Sequence, residues 1–498
     1  MSFLILFLQQ FTPSAIRAQT VAIDYAKRID TLQLKSFLDV LTSDSLEGRE
    51  TGKRGQRRAA DYISSSFFSF GLKPLDPDTL NAHPLSPRAN KGVNLKVNDQ
   101  LFAYFADYFV LSSEKDTSLH ADTVYFIGYG TNLSNKHQRA PESVPVMYFQ
   151  SEQHVGITES HDPFQQIEAL AAYHPSLLII VSEDFRTTAD SLLAAERKGA
   201  SVLQRIRSYP FPIVWISTKT ASAFHEKARQ HLRKHKKRFR PYWFWSPMTV
   251  PVLKDHRSLL GHNVPFLLTG TEKPEEVVLV TAHYDHLGMR GDTIWRGADD
   301  DASGTSAVLE MAHIFSMAAA EGHAPRRSVL FMPVSGEEKG LLGSAHYASN
   351  PLFPLSNLVA DVNIDMIGRI DPEHDSTGIH NYIYVIGSDK LSTELHTINE
   401  EANNALPHLE LDYRYNVPGE PNRFYYRSDH YNFARHGVPS IFYFNGKHDD
   451  YHKHTDTPEK IDYAALSLRT KLAFLTVWEL ANRPQRIVVD RTNDMDRR

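Results

Sequence analysis

Shortly after an apolar run at 277–281, the chain carries His283-Tyr284-Asp285-His286, and a little further on Gly297-Ala298-Asp299-Asp300-Asp301-Ala302-Ser303-Gly304. The run reads as a buried strand, so His283 and Asp285 emerge where it gives way to a loop, the usual place for chemistry in open α/β sheets. Downstream, Glu337 and Glu338 follow a second apolar run at 328–334, and Asp365 ends a third at 358–365. A last imidazole is expected from Tyr451-His452-Lys453-His454-Thr455-Asp456. There is no cysteine, so a strong metal site must be built from imidazole and carboxylate, which suits zinc or a similar divalent ion.

Two divalent ions roughly 3.5 Å apart need one carboxylate between them and an imidazole and a carboxylate on each side. Five ligands suffice: two His, a bridging Asp and two terminal acids. A water shared by such ions has its pKa lowered from about 15.7 toward about 7. A carboxylate outside the metal ligands must take that proton and pass it to the leaving amine. The adjacent Glu337 and Glu338 suit this division, one facing the metals and one the water. Asp285, two residues beyond His283, is placed to hydrogen-bond that imidazole and raise its basicity. Taken singly, a His-x-Asp pair, a Glu-Glu turn and an Asp run before a helix are ordinary surface features. Their succession at strand ends, each beside a glycine-bearing loop, points to a two-metal pocket.

The elements that must position these residues are legible from about 255 onward, where strands at 277–281, 328–334, 358–365, 382–386 and 440–444 alternate with helices such as 305–320. Strict alternation predicts an α/β fold, a mostly parallel sheet covered by helices on both faces. Its strand ends share one edge, which lets residues distant in sequence converge. Upstream, Leu34, Phe37, Leu38 and Leu41, and then Ala59, Ala60, Tyr62, Ile63, Phe67 and Phe68, recur at helical spacing around a glycine-punctuated loop at 46–52. The Pro-, Asp- and Asn-rich stretch 74–91 reads as a linker or surface excursion. The texture of 105–245 differs, with strands expected at 124–130, 144–149, 177–181 and 212–216, helices at 164–172 and 189–198, and no ligand cluster. It reads as a smaller inserted α/β module. The basic run 233–240 and the following Tyr242, Trp243, Phe244 and Trp245 read as a solvated helix face leading into a buried aromatic anchor.

The chain has 498 residues, of which 41% are hydrophobic and 11% aromatic, enough for two or three domains with sizeable cores. Fifty-four basic against fifty-nine acidic residues give a net charge of −5, too mild to call for nucleic acid or an anionic membrane as partner. The apolar segment 3–8 and the small-residue stretch 14–18 read as a signal peptide, with a secreted or periplasmic protein as the expectation. No later stretch approaches the roughly 18 uninterrupted apolar residues of a membrane span, so no stable membrane insertion is expected. The divisions are then 1–18 signal peptide, 19–104 N-terminal helices and linker, 105–250 inserted domain and 251–498 catalytic domain. Oligomeric state is not encoded in any of these features.

The strand-end motifs, with Ser335-Gly336-Glu337-Glu338-Lys339-Gly340, Asn363-Ile364-Asp365-Met366 and Ser428-Asp429-His430, resemble those of the M28 family of zinc-dependent exopeptidases. The resemblance spans roughly residues 45–75 and 260–465. It implies two zinc ions held by His283, Asp300, Glu338, Asp365 and His452, with Asp300 as the bridge and Glu337 as the general base. His452 stands four residues before Asp456, the family's register for the last histidine, and His454 is the second candidate. Tyr425 matches a tyrosine that contacts the tetrahedral intermediate in some members. The 105–250 module resembles a protease-associated domain, chiefly through Tyr125-Phe126-Ile127-Gly128-Tyr129-Gly130; restriction of substrate access and passive packing both stay open. The implied activity is hydrolysis of the N-terminal peptide bond of peptides. Three alternatives remain: a carboxypeptidase or dipeptidase using Arg423, Arg427 or Arg435 for a terminal carboxylate, a one-zinc transferase like glutaminyl cyclase, and a binding ectodomain without catalysis.

Overall fold

The computed structural model describes residues 13–75, 81–84 and 260–494, with 13–19, 82–84 and 260 described in backbone alone. Within 95–252 it describes 95–102, 107–111, 117–127, 145–150, 174–182, 211–224, 242–252 and a few isolated positions. The chain forms two compact units, Met1–Asn81 with His262–Arg498, and Ala82–Gly261.

The first unit is built on an eight-stranded sheet. Its strands are β1 (Lys73–Pro74), β2 (Phe266–Leu268), β3 (Lys273–His283), β4 (Arg327–Val334), β5 (Leu358–Ile364), β6 (Tyr382–Ile386), β7 (Glu410–Asp412) and β8 (Ser440–Phe444). Their order across the sheet is β1-β2-β4-β3-β5-β8-β6-β7. The middle four, β4-β3-β5-β8, are mutually parallel, while β2 and β6 join them antiparallel. The chain steps from β3 to β4 on one side and then crosses to β5 on the other, so β3 is a topological switch point, where ligands bind open α/β sheets.

Alternation along β3 and β4 sends side chains to two separate cores. Val278, Val280, Ala282, Val329 and Phe331 belong to the larger one, with helices α1 (Pro13–Ala26), α2 (Thr31–Leu41), α3 (Arg54–Ser69), α4 (Gly304–Ala320) and the helix Tyr463–Asn482. Val277, Leu279, Leu330, Met332 and Val334 face the other, with Tyr347 of α5 (Leu342–Ser349) and Phe433. Both faces are therefore covered, as the unbroken apolar runs require. Leu34, Phe37, Leu38, Leu41, Ala59, Ala60, Ile63 and Phe67 are all buried as their spacing predicts, whereas Phe68 is exposed.

The second unit holds another eight-stranded sheet, in which Thr117–Phe126, Pro145–Gln150, Leu177–Ser182 and Ile213–Ser217 run parallel. Strand Tyr242–Val252 pairs antiparallel with Thr117–Phe126. The aromatic run is therefore not the buried anchor expected from sequence. Strand alternation leaves Trp243 and Trp245 exposed while Phe244 packs on Phe126. The basic run 233–240, Gly128 to Gly130 of the glycine motif, helix 189–198, most of 164–172 and the first twelve residues of the expected leader lie outside the described residues. No helix among the described residues is long and apolar enough to cross a membrane.

Candidate metal centre

The carboxyl ends of β3, β4, β5 and β8 lie along one edge of the sheet, and each delivers part of the site. His283 closes β3. Its backbone carbonyl accepts from Thr305 Oγ1 at 2.9 Å, and its Nδ1 donates to the Asp285 carbonyl at 3.1 Å. That bond places the proton on Nδ1 and leaves Nε2 as the nitrogen available to a metal. Nε2 lies 3.2 Å from Asp300 Oδ1 and 3.5 Å from Asp365 Oδ1. On the other side, His452 Nε2 lies 3.2 Å from both Asp300 Oδ2 and Glu338 Oε2. Asp300 thus offers one oxygen to each imidazole.

The Asp285 carboxylate does not make the imidazole bond expected of it. It stands 3.8 Å from His283 Nδ1, accepting instead from Thr51 Oγ1 at 2.5 Å and from the Glu337 N–H at 3.3 Å. The backbone carbonyl is nearer the ring, so the carboxylate is left to anchor the turn that carries Glu337. Asp365 accepts from Ser428 Oγ at 2.6 Å, and Ser428 in turn accepts from Asn363 Nδ2 at 2.8 Å. Ser428 of the Ser-Asp-His motif therefore fixes the Asp365 carboxylate. Asp456 receives the N–H groups of Asp299 and Asp300, at 3.0 and 3.2 Å, and holds the bridging loop. Burial and the neighbouring Asp299 raise the Asp456 carboxyl to about 6.

The loop geometry demands particular residues. Gly297 holds φ +54, and a Cβ there would meet the Asp300 carbonyl oxygen at 2.1 Å and the His286 ring at 2.4 Å. His452 itself holds φ +58 and Met366, next to Asp365, φ +60, left-handed conformations that a packed site must impose. The buried Arg49 guanidinium explains the early glycine loop. It donates to the carbonyls of Tyr284, Leu41, Arg296 and Gly297 at 2.6 to 3.0 Å, tying the loops after β3 to the N-terminal helices. No sequence pattern pointed to that clamp.

His286 also reaches the centre, with Nδ1 2.8 Å from Glu338 Oε1. The sequence motifs do not single it out as a ligand. A parallel bridge between Glu50 and His286 and a bond from the His286 N–H to the Arg49 carbonyl bring it back. Tyr425 is not brought in. Its buried hydroxyl accepts from Asn493 Nδ2 at 2.6 Å, and its ring faces Tyr426, His430 and Tyr431. The tyrosine in the cavity with His283, Asp300, Glu337 and Asp365 is Tyr451. Tyr425 falls on a tight turn (Phe424–Tyr426) that rotates it away from that cavity.

These residues suit divalent cations. Buried atoms without a hydrogen-bond partner among the described residues include both ring nitrogens of His286, Asp300 Oδ2, Asp301 Oδ2 and Glu338 Oε1. So many desolvated acceptors together are costly unless positive charge joins them. Burial would push the His452 imidazole down, but the Asp300 and Glu338 carboxylates beside it outweigh burial and raise it to about 10. His283 is likewise raised well above its usual value, Asp365 and Asp300 overcoming its burial.

Two groups can each surround an ion, His283 with Asp301 and Asp365, and His286 with Asp300 and Glu338. Glu337 is held well above the usual carboxyl range, by burial first, against the pull of His283 and with a further push from Glu338.

Residues 263–477 match the model of peptidase family M28. A probable zinc metalloprotease of Pyrenophora teres f. teres (strain 0-1) is 28% identical over 44% of this chain and 48% of its own length. A probable aminopeptidase of Saccharomyces cerevisiae (strain ATCC 204508 / S288c) is 26% identical over 46% of this chain and 59% of its own. The chain thus spans about half the length of these curated relatives. The solved structure of BSAP, a zinc aminopeptidase from Bacillus subtilis, aligns at 17% identity with a TM-score of 0.48, over 92% of this chain and 98% of that one. The segment matched by the model of peptidase family M28, residues 263–477, contains the strand ends that carry the centre.

Proposed function

We propose that the chain is an aminopeptidase that hydrolyses the N-terminal peptide bond of peptides at two zinc ions held by His283, Asp300, Glu338, Asp365 and His452. The observation that carries the reading is Asp300, whose Oδ1 and Oδ2 each lie 3.2 Å from a different imidazole. That is the placement a bridging carboxylate needs, and it speaks against a one-zinc transferase. When bound, such ions polarise the scissile carbonyl and acidify water.

The protein's own groups do the rest. Glu337, lining the cavity and raised by burial, takes the proton from the attacking water and returns it to the leaving amine. Asp285 positions Glu337 through the bond from its N–H. Tyr451 accepts from Arg427 at 3.1 Å, so its own hydroxyl proton is free to meet the developing oxyanion. In this reading residues 1–18 are a leader for export, and the second unit is a protease-associated domain.

Aminoacyl reporter substrates test the proposal when turnover is measured before and after chelation, with zinc or cobalt added back. Activity is expected to vanish and return. Turnover that survives removal of the metal, or equal cleavage of peptides with a blocked N-terminus, overturns it.

A further inference from the structure

We infer that Arg427 and Lys447 form a carboxylate-receiving wall of the substrate cavity and that the preferred substrates are peptides that present a carboxylate to it. This inference rests on the peptidase reading above.

The cavity that holds His283, Asp300, Glu337 and Asp365 is also lined by Met366, Phe424, Phe442, Phe444 and Tyr451, together with Arg427 and Lys447. An apolar wall alone would suit an aliphatic or aromatic side chain. Two cations are unexpected there. Arg427 lies 5.2 Å from the Phe424 ring centre and Lys447 5.8 Å from it, so both charges sit beside one aromatic ring. Among the described residues neither forms an ion pair, and the one hydrogen bond of the Arg427 guanidinium goes to Tyr451. Its remaining N–H groups are uncommitted in a half-buried position, and a planar fork of that kind matches a carboxylate.

Of the three arginines that a carboxylate-binding exopeptidase could use, only Arg427 belongs to this cavity. Arg423 stacks on Tyr426 at 4.6 Å, and Arg435 lines a different cleft with Tyr425 and Asn493. The cavity acids would repel an anionic substrate if they acted alone. Two unpaired cations in the same lining offset that bias and give the anionic group a place to bind. The carboxylate has two sources, the side chain of a terminal Asp or Glu or the C-terminus of a dipeptide.

The test compares kcat/KM, on the zinc-loaded full chain, for matched substrates: N-terminal Glu against Gln reporters, and free against amidated dipeptides. One arm is expected to favour the carboxylate by about tenfold or more. The arm that responds identifies the source. In Lys447→Gln, an exposed position, and in Arg427→Gln, that ratio is expected to fall severalfold, chiefly through KM. Hydrolysis with no preference for the carboxylate in either arm, or a preference that both variants keep, overturns the inference and leaves the peptidase reading standing. Failure to cleave any peptide overturns both.

Discussion

Glu337 and Glu338 are sequence neighbours with opposite surroundings. Glu338 lies against His452 and His286, and these imidazoles outweigh its burial and lower its carboxyl; Glu337 is driven the other way by burial. Environments that push adjacent acids apart are how a ligand and a base are told from each other. Glu337→Gln is therefore expected to cost roughly 10²–10⁴-fold in kcat while bound zinc, measured by atomic absorption, stays at the wild-type level. Asp429 gives a stability counterpart. Its buried carboxyl is raised to about 7, through burial first, from an ordinary 3.8. The fold thus prefers the protonated form, whose contribution is full below the ordinary value and is lost as pH rises through about 7. In metal-free protein, Asp429→Asn should raise the unfolding temperature more at pH 8 than at pH 5, by the equivalent of a few kcal/mol. An equal shift at both pH values would show that the charge is not buried in solution.

At the scale of elements, strand-end reasoning located His283, Asp300, Glu337, Glu338 and Asp365 because parallel strands make a shared edge inevitable once alternation is seen. Apolar runs also marked β3, β4, β5, β6 and β8 closely. Contacts that depend on loop geometry were not legible. A carbonyl has no residue identity, so neither the Asp285 carbonyl bonded to His283 nor the four carbonyls held by Arg49 leave a mark on the sequence. Tyr425 failed for the same reason: one step along a tight turn exchanges inside for outside. The Arg49 clamp predicts that Arg49→Met leaves several buried carbonyls unpaired, at a cost of about 3–5 kcal/mol. Denaturant unfolding should show that loss, accompanied by weaker zinc binding because Tyr284 and Gly297 flank the ligands. Unchanged zinc affinity in a destabilised variant would mean that the clamp serves the fold alone.

Across the whole molecule, every residue proposed for the centre lies in the unit formed by Met1–Asn81 and His262–Arg498, although these residues span His283 to His452. Their meeting depends on the complete parallel core rather than on one local motif. Such a site should bind its ions as a coupled pair and release protons from His283 and His452 as it does so. The direct test is calorimetric titration of metal-stripped full-length protein with zinc at pH 7, in two buffers of different ionisation enthalpy. Two zinc ions per chain with net proton release are predicted, and His452→Ala should lower the count. Saturation at one ion or none in the wild-type chain, or binding that His452→Ala leaves untouched, would contradict the bridged centre.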